Sequence, residues 1–181
     1  MTEAAGPRPA VHWGVPLAVL AGVLALAARR PAPVAVLVAA GVGAVGALAP
    51  LGLPDRLRRA HLPWSAVTFL GAAPFVVFTL WARPLPARGG WLVAATGVVV
   101  AVAEELFFRR LVYGWLSRRG PAVAVAGSAL LFALVHLPAY GAAVLPIDLA
   151  AGLVFGWQRY ASGGWTAPAA THALANLLAL A

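Results

Sequence analysis

Long apolar runs, separated by short turns, cover most of the chain. The turns are rich in glycine and proline, as in RRPAP after the first run and SRRGP after the fourth, and such residues typically end helices. Most runs approach the roughly 20 residues that a helix needs to cross a bilayer. They are residues 13–28, 33–51, 62–82, 91–117, 121–137, 142–158 and 165–181. The pattern predicts an all-α fold, a polytopic transmembrane helix bundle with about seven spans.

The loops between these runs are too short to hold a soluble domain. We therefore expect one integrated membrane domain in two parts. Residues 1–90 contribute transmembrane helices without a specific motif, whereas residues 91–181 carry the polar motifs considered below.

The composition also indicates a membrane protein. Apolar residues occupy 62% of the 181 positions and charged residues 10%, and the mean hydropathy is +0.89. A soluble domain has about 45–50% apolar and about 25% charged residues, so an ordinary soluble or disordered protein is excluded. Cysteine and lysine are both absent. Disulfides, thiolate chemistry, Schiff bases and Ser–Lys dyads are therefore excluded as well.

The net charge of +8 comes from 13 arginines. In so apolar a chain, we attribute this charge to cytoplasmic loops and expect no nucleic acid partner. Seven spans would place one set of arginines on the N-terminal side and another on the opposite side. The first set is Arg8, Arg56, Arg58, Arg59, Arg118, Arg119 and Arg159, and the second is Arg29, Arg30, Arg83 and Arg88. The larger first set predicts a multi-pass protein of the cell membrane with a cytoplasmic N-terminus.

The first apolar run requires comparison with a signal peptide. Its small-residue end, ALAA, resembles a cleavage site, but two arginines follow directly and the later runs are equally apolar. These flanks favour a retained membrane anchor.

Polar side chains inside predicted spans are the candidates for function. An ionisable residue at the centre of a bilayer costs about 2.5–3.5 kcal/mol on insertion scales, so each one needs a reason. Three clusters occur, in the sequences AVAEELFFRRL, LLFALVHLP and THALANLL. Their polar members and one aromatic neighbour are Glu104, Glu105, Arg109 and Arg110, then Phe132 and His136, then His172 and Asn176.

In the first cluster, the spacing separates the two glutamates. Glu105 and Arg109 are four residues apart and share a helix face, with the acid before the base, which is the favoured order for an ion pair. Adjacent residues point about 100° apart, so Glu104 lies on another face without a local cation. A partly desolvated carboxylate of this kind suits a general base. The alternative is a structural ion network between helices.

The other clusters leave two interpretations open. His136 precedes Pro138 by two residues, so we expect the helix to end or kink there and a polar, water-accessible segment to follow. His136 and Glu104 lie at similar predicted depths and can meet. His172 and Asn176 share a face and form either a clamp between helices or a pair of donors for an oxyanion, or metal ligands.

Two further features of the sequence have structural explanations. Asp148 follows Pro146 and is interpreted as a residue at a helix start. Gly152 and Gly156 form a GxxxG pattern, which predicts close packing of two helices.

The three clusters, in this order, resemble the motifs of the CPBP intramembrane protease family, which includes the type II CAAX prenyl endopeptidases and bacteriocin self-immunity proteins. The family's EExxxR motif is matched by Glu104, Glu105 and Arg109. Its FxxxH motif is matched by Phe132 and His136, and its HxxxN motif by His172 and Asn176. The resemblance covers about residues 91–181.

This resemblance implies an intramembrane endopeptidase that acts on a peptide or membrane-protein substrate. Glu104 would activate a water with help from His136, and His172 and Asn176 would stabilise the oxyanion. Glu105 and Arg109 complete the set of motif residues. The chain lacks HExxH, GxGD and GxSG, so other known intramembrane or zinc protease motifs do not fit.

The resemblance leaves a metal mechanism open, with zinc on Glu104, His136 and His172. A zinc-bound histidine usually has a carboxylate or carbonyl behind its second nitrogen. Near His136 the helix offers only Val135, Leu137 and Pro138, and near His172 only Thr171 and Asn176, so we favour a reaction without cofactor or metal. Two other functions remain: a catalytically silent immunity or scaffold protein that binds a partner, and a small transporter. The sequence does not identify the substrate.

Overall fold

The computed structural model describes residues 14–48, 61–82 and 90–180. Over these ranges the chain forms seven helices and no strand, which confirms the prediction of an all-α bundle. The helices are α1 (Gly14–Ala27), α2 (Ala32–Leu48), α3 (Trp64–Ala82), α4 (Trp91–Arg119), α5 (Pro121–Tyr140), α6 (Leu145–Ser162) and α7 (Thr166–Leu178). Helix α4 is continuous but not uniform: it is α-helical over Trp91–Glu105 and Tyr113–Leu116, a π-helix over Leu106–Val112 and a 3-10 turn over Ser117–Arg119.

Three helices, α3, α4 and α5, are long and apolar enough to cross a membrane, and α1 and α2 are apolar but shorter. Large apolar side chains lie on the outer surface of the bundle; Phe69, Leu80, Trp81 and Trp91 are among the most exposed. So much exposed apolar surface is typical of a lipid-facing protein. The arginine count that predicts the orientation includes Arg8, Arg56, Arg58, Arg59, Arg83 and Arg88, which lie outside the described residues.

Helix α5 does not end at Pro138 as the sequence predicted. It continues for two more residues to Tyr140 and stops at Gly141, where φ is 80°. The proline lacks an N–H and removes only one hydrogen bond of the last turns. The Gly141 N–H still bonds to the Leu137 carbonyl at 2.9 Å, and Arg29 donates to the Pro138 carbonyl. The segment after His136 is therefore helical.

Helices α5 and α6 pack closely through the predicted GxxxG pattern. A Cβ added at Gly152 would lie 2.9 Å from the Cα of Ala129, and one at Gly156 would lie 3.1 Å from Val125 Cγ1. The predicted role of Gly152 and Gly156 in helix packing is confirmed. Helix α7 packs against α3, α4 and α6, so the motif-bearing helices form one cluster.

Glycines also bring α2 against the π-helical part of α4. A Cβ at Gly46 would lie 2.4 Å from the Leu106 carbonyl oxygen, whereas one at Gly41, on the same helix, would meet nothing within 4 Å. The sequence predicted no motif in the first three helices, yet α2 supports the helix that carries the glutamates.

Replacing Gly46 by alanine should destabilise the protein by about 1–3 kcal/mol, because overpacking forces backbone shifts. Gly41→Ala is the matched control and should be neutral or stabilising, since alanine is favoured over glycine in a helix by about 1 kcal/mol. Thermal unfolding of the detergent-purified variants measures both. Equal stability of the two variants would contradict the close contact between α2 and α4.

Candidate active site

Arg109 and Glu105 form a buried ion pair beneath the site. Both side chains are fully buried, and Arg109 Nε lies 3.3 Å from Glu105 Oε2, so the predicted pair is present. The guanidinium also donates from Nη2 to the Gly152 carbonyl at 3.2 Å. A buried ion pair needs such additional partners to offset desolvation.

Three phenylalanine rings surround the Arg109 guanidinium. Its central carbon lies 5.9, 5.3 and 5.6 Å from the ring centres of Phe108, Phe132 and Phe155, distances at which a cation is attracted to the ring face. Phe132 also makes an edge contact with the His172 ring at 5.6 Å between centres. Phe132 of the second motif is therefore a core residue whose ring contacts the Arg109 guanidinium and both histidine rings.

The π-helix over Leu106–Val112 spans this part of α4, and arginine hydrogen bonds link it to α6 and α2. Arg159 of α6, a buried residue, donates from Nε to the Arg109 carbonyl at 3.0 Å. Arg110 donates to the Gly46 carbonyl at 3.0 Å and also to the Ala47 carbonyl. Arginines often bind the last carbonyls of a helix in this way, so Arg110 ties α4 to the end of α2.

His172 lies between the two glutamates. Its Nδ1 is 3.0 Å from Glu105 Oε1, and because a carboxylate only accepts, Nδ1 carries the hydrogen. Its Nε2 is 3.8 Å from Glu104 Oε2, too far for a direct hydrogen bond but close enough for one water to contact both atoms. Glu105 therefore links Arg109 to His172 and fixes the orientation of the imidazole.

His136 and Glu104 line the same cavity, which has a volume of about 400 Å³. This agrees with the similar depths in the membrane that were predicted for the two residues. Most of the other lining residues are apolar, Val100 and Val135 among them, but Arg29, Arg30 and Tyr140 also line the cavity. Cavities of this size and mainly apolar lining are typical of ligand sites.

The Nδ1 atom of His136 contacts the backbone of its own helix. It lies 2.8 Å from the Phe132 carbonyl oxygen, so Nδ1 is the protonated nitrogen, since a carbonyl cannot donate. The same atom is 3.7 Å from Asp148 Oδ2 of α6. The sequence indicated Asp148 only as a residue at a helix start, so its contact with His136 was missed. Its position in an apolar segment was a usable signal.

Asn176 forms a hydrogen bond between two helices. Its side-chain amide donates to the Gly97 carbonyl of α4 at 3.0 Å, which is the helix clamp that the sequence left open. An amide has two donor hydrogens, so the second one remains for the predicted oxyanion role, which stays a prediction.

Both histidines have supporting groups that the sequence did not show, so the expectation that they lack them was wrong. The sequence showed no suitable neighbour of the histidines, but His172 has the Glu105 carboxylate, and His136 has the Phe132 carbonyl and Asp148. These groups come from positions that helix spacing or tertiary packing brings together. The ligands themselves are a separate matter: among the described residues, no three His, Asp, Glu or Cys side chains are arranged to hold one metal ion.

With this geometry established, residues 86–178 match the family described as type II CAAX prenyl endopeptidase Rce1-like. The chain belongs to this family. The match contains all three motifs and the helices α4 to α7 that carry them, and it agrees with the resemblance stated from the sequence. No curated protein and no solved structure matches the chain. Family membership and the apolar helices together indicate a membrane protein, and membership indicates a protease of the CAAX type.

Proposed function

We propose that this chain is an intramembrane endopeptidase that hydrolyses a peptide bond of a membrane-associated substrate with a water activated by Glu104. The single observation that carries this proposal is the shared cavity of Glu104 and His136 among apolar walls. A carboxylate on such a wall can take a proton from a water that the neighbouring imidazole orients.

The orientation of His136 supports its role beside Glu104. Because Nδ1 donates to the Phe132 carbonyl, Nε2 of the neutral ring is the acceptor. An acceptor and a carboxylate together can bind the two hydrogens of one water. The water oxygen then attacks the substrate carbonyl, and its proton passes to Glu104 and on to the leaving amine nitrogen when the C–N bond breaks.

The oxyanion formed in the attack needs donors, and His172 is the first candidate. Its Nδ1 hydrogen is directed to Glu105 and its Nε2 lies near Glu104, so only the imidazolium form would donate from Nε2 to the oxyanion. Asn176 supplies a second donor with the amide hydrogen that Gly97 does not use. Preorganised donors of this kind account for a large share of catalysis in acyl transfer.

The proposed reaction uses no metal ion or other cofactor. Among the described residues, no three His, Asp, Glu or Cys side chains are arranged to hold one metal ion, which supports a mechanism without zinc on Glu104, His136 and His172. The partners are the lipid bilayer and a peptide or membrane-protein substrate, without nucleic acid.

The test is cleavage by the purified protein in liposomes. Two fluorogenic peptides serve as probes, one with a prenylated CAAX terminus and one without the prenyl group, and mass spectrometry locates the new carboxyl terminus. We expect cleavage of at least one peptide at a single bond. Failure to cleave either peptide, or any peptide of a transmembrane-segment library, would contradict the proposal and favour a silent binding protein.

A further inference from the structure

Asp148 has a position that a residue at a helix start does not require. It lies in the first turn of α6, where a negative charge favours the helix dipole. Yet its Oδ2 atom is buried and has no hydrogen-bond partner among the described residues. A buried carboxylate oxygen without a partner is costly, so the helix dipole alone does not account for this arrangement.

The side chain next to this oxygen is His136. Asp148 Oδ2 lies 3.7 Å from His136 Nδ1, and both side chains are mostly buried, with exposed fractions of 16% and 19%. The Phe132 carbonyl lies 2.8 Å from the same nitrogen. The carbonyl accepts the hydrogen bond from Nδ1, and the carboxylate, too far away for a direct bond, favours hydrogen on the same nitrogen through its charge.

We propose that Asp148 is a positioning residue for His136 in the reaction. Its carboxylate holds the ring of His136 in the tautomer and rotamer that present Nε2 as an acceptor to the water at Glu104. The proposal rests on the proposed hydrolase function, since it concerns the same site. The two histidines are then supported in the same way. Glu105 contacts Nδ1 of His172, and the Phe132 carbonyl and Asp148 lie next to Nδ1 of His136.

This role resembles the acid behind a catalytic histidine in other hydrolases, where the acid fixes the tautomer without itself reacting. Asp148 does not line the cavity, so it acts through His136 and not on the substrate. Helix α6, which supplies no residue of the three motifs, is thereby the fourth helix of the site, beside α4, α5 and α7.

The first test is Asp148→Asn, measured by hydrolysis in liposomes. Asparagine keeps the size of the side chain and is itself favoured at helix starts, so the fold should be retained. It removes the charge and introduces donors. We expect kcat to fall about tenfold or more, with KM within about twofold, because an imidazole that is misplaced or in the wrong tautomer costs rate and not binding. Asp148→Glu should recover part of the rate.

A double-mutant cycle separates positioning from a merely structural role. If Asp148 acts through His136, adding Asp148→Asn to His136→Ala should cause no further loss of kcat, since coupled residues are not additive. A full rate in folded Asp148→Asn, or an equal tenfold loss in the His136→Ala background, would overturn the proposal.

One measurement is independent of peptide hydrolysis. Imidazole ¹⁵N spectra of the labelled protein in micelles report which nitrogen of His136 carries hydrogen. We expect Nδ1–H in the wild type and a shift toward Nε2–H in Asp148→Asn. Unchanged spectra would refute the proposal even if no substrate were cleaved, whereas a tautomer change without cleavage would refute the proposed function alone.

Discussion

Glu104→Gln should slow hydrolysis by at least about 10²-fold, because a general base contributes roughly 10²–10⁴ to the rate. Glutamine has the same shape but cannot take a proton from water. The Arg109–Glu105 pair and the Glu105–His172 contact do not include Glu104, so the variant should insert and fold normally. The measurement is kcat in liposomes, with thermal unfolding of the same preparation as the check on folding.

Glu105→Gln is the informative comparison for this variant. It removes the carboxylate that pairs with Arg109 and holds His172, so we expect loss of both stability and activity. Glu104→Gln should lose activity alone. Activity retained in a folded Glu104→Gln protein would remove the base from the mechanism, and identical behaviour of the two glutamine variants would remove the distinction between the glutamates.

Arg109→Ala should cause the largest loss of stability, about 3–5 kcal/mol, which is typical when one partner of a buried ion pair is removed. The change leaves the Glu105 carboxylate without its cation and opens a cavity between three phenylalanine rings. Activity should fall as well, because His172 depends on Glu105 for its orientation. Thermal unfolding and the yield of inserted protein measure the effect.

Arg118→Ala is the matched control, since Arg118 is an exposed arginine at the end of the same helix. Surface substitutions of this kind usually change stability by less than about 0.5 kcal/mol. The double variant Glu105→Gln with Arg109→Met should recover part of the stability, because neither charge is then left unpaired. Normal stability of Arg109→Ala with loss of turnover alone would reassign the pair to chemistry.

The sequence predicted those features that depend on neighbours along one helix. The order of the described helices follows from the apolar runs and the glycine- and proline-rich turns between them. The Glu105–Arg109 pair follows from a spacing of four residues on one helix face. The close approach of α5 and α6 follows from two glycines at the same spacing. None of these features requires knowledge of which helices are adjacent.

Contacts between helices that are distant in sequence could not be predicted. The carboxylate behind His172 comes from Glu105, 67 residues earlier, and Asp148 reaches His136 from a different helix. Local spacing alone therefore led to the wrong prediction that both histidines lack supporting groups. Arg29, from the loop between α1 and α2, donates to the Pro138 carbonyl of α5, and local spacing does not show this contact either.

The π-helix is a further feature that the sequence did not predict. The segment LFFRRLV lies within an apolar run that predicts an ordinary α-helix, yet residues Leu106–Val112 form a π-helix. Arg159 binds the Arg109 carbonyl within this segment, and π-helical turns occur often at functional sites.

The most direct test of the central claim, a water activated by Glu104 without a metal, measures turnover and metal content in one sample. The purified wild-type protein is exhaustively treated with a chelator, analysed for zinc and other transition metals, and assayed on the fluorogenic peptides in liposomes. The account predicts unchanged kcat with far less than one metal ion per chain. Stoichiometric zinc that is lost together with activity on chelation, and restored together with it on readdition, would contradict the account.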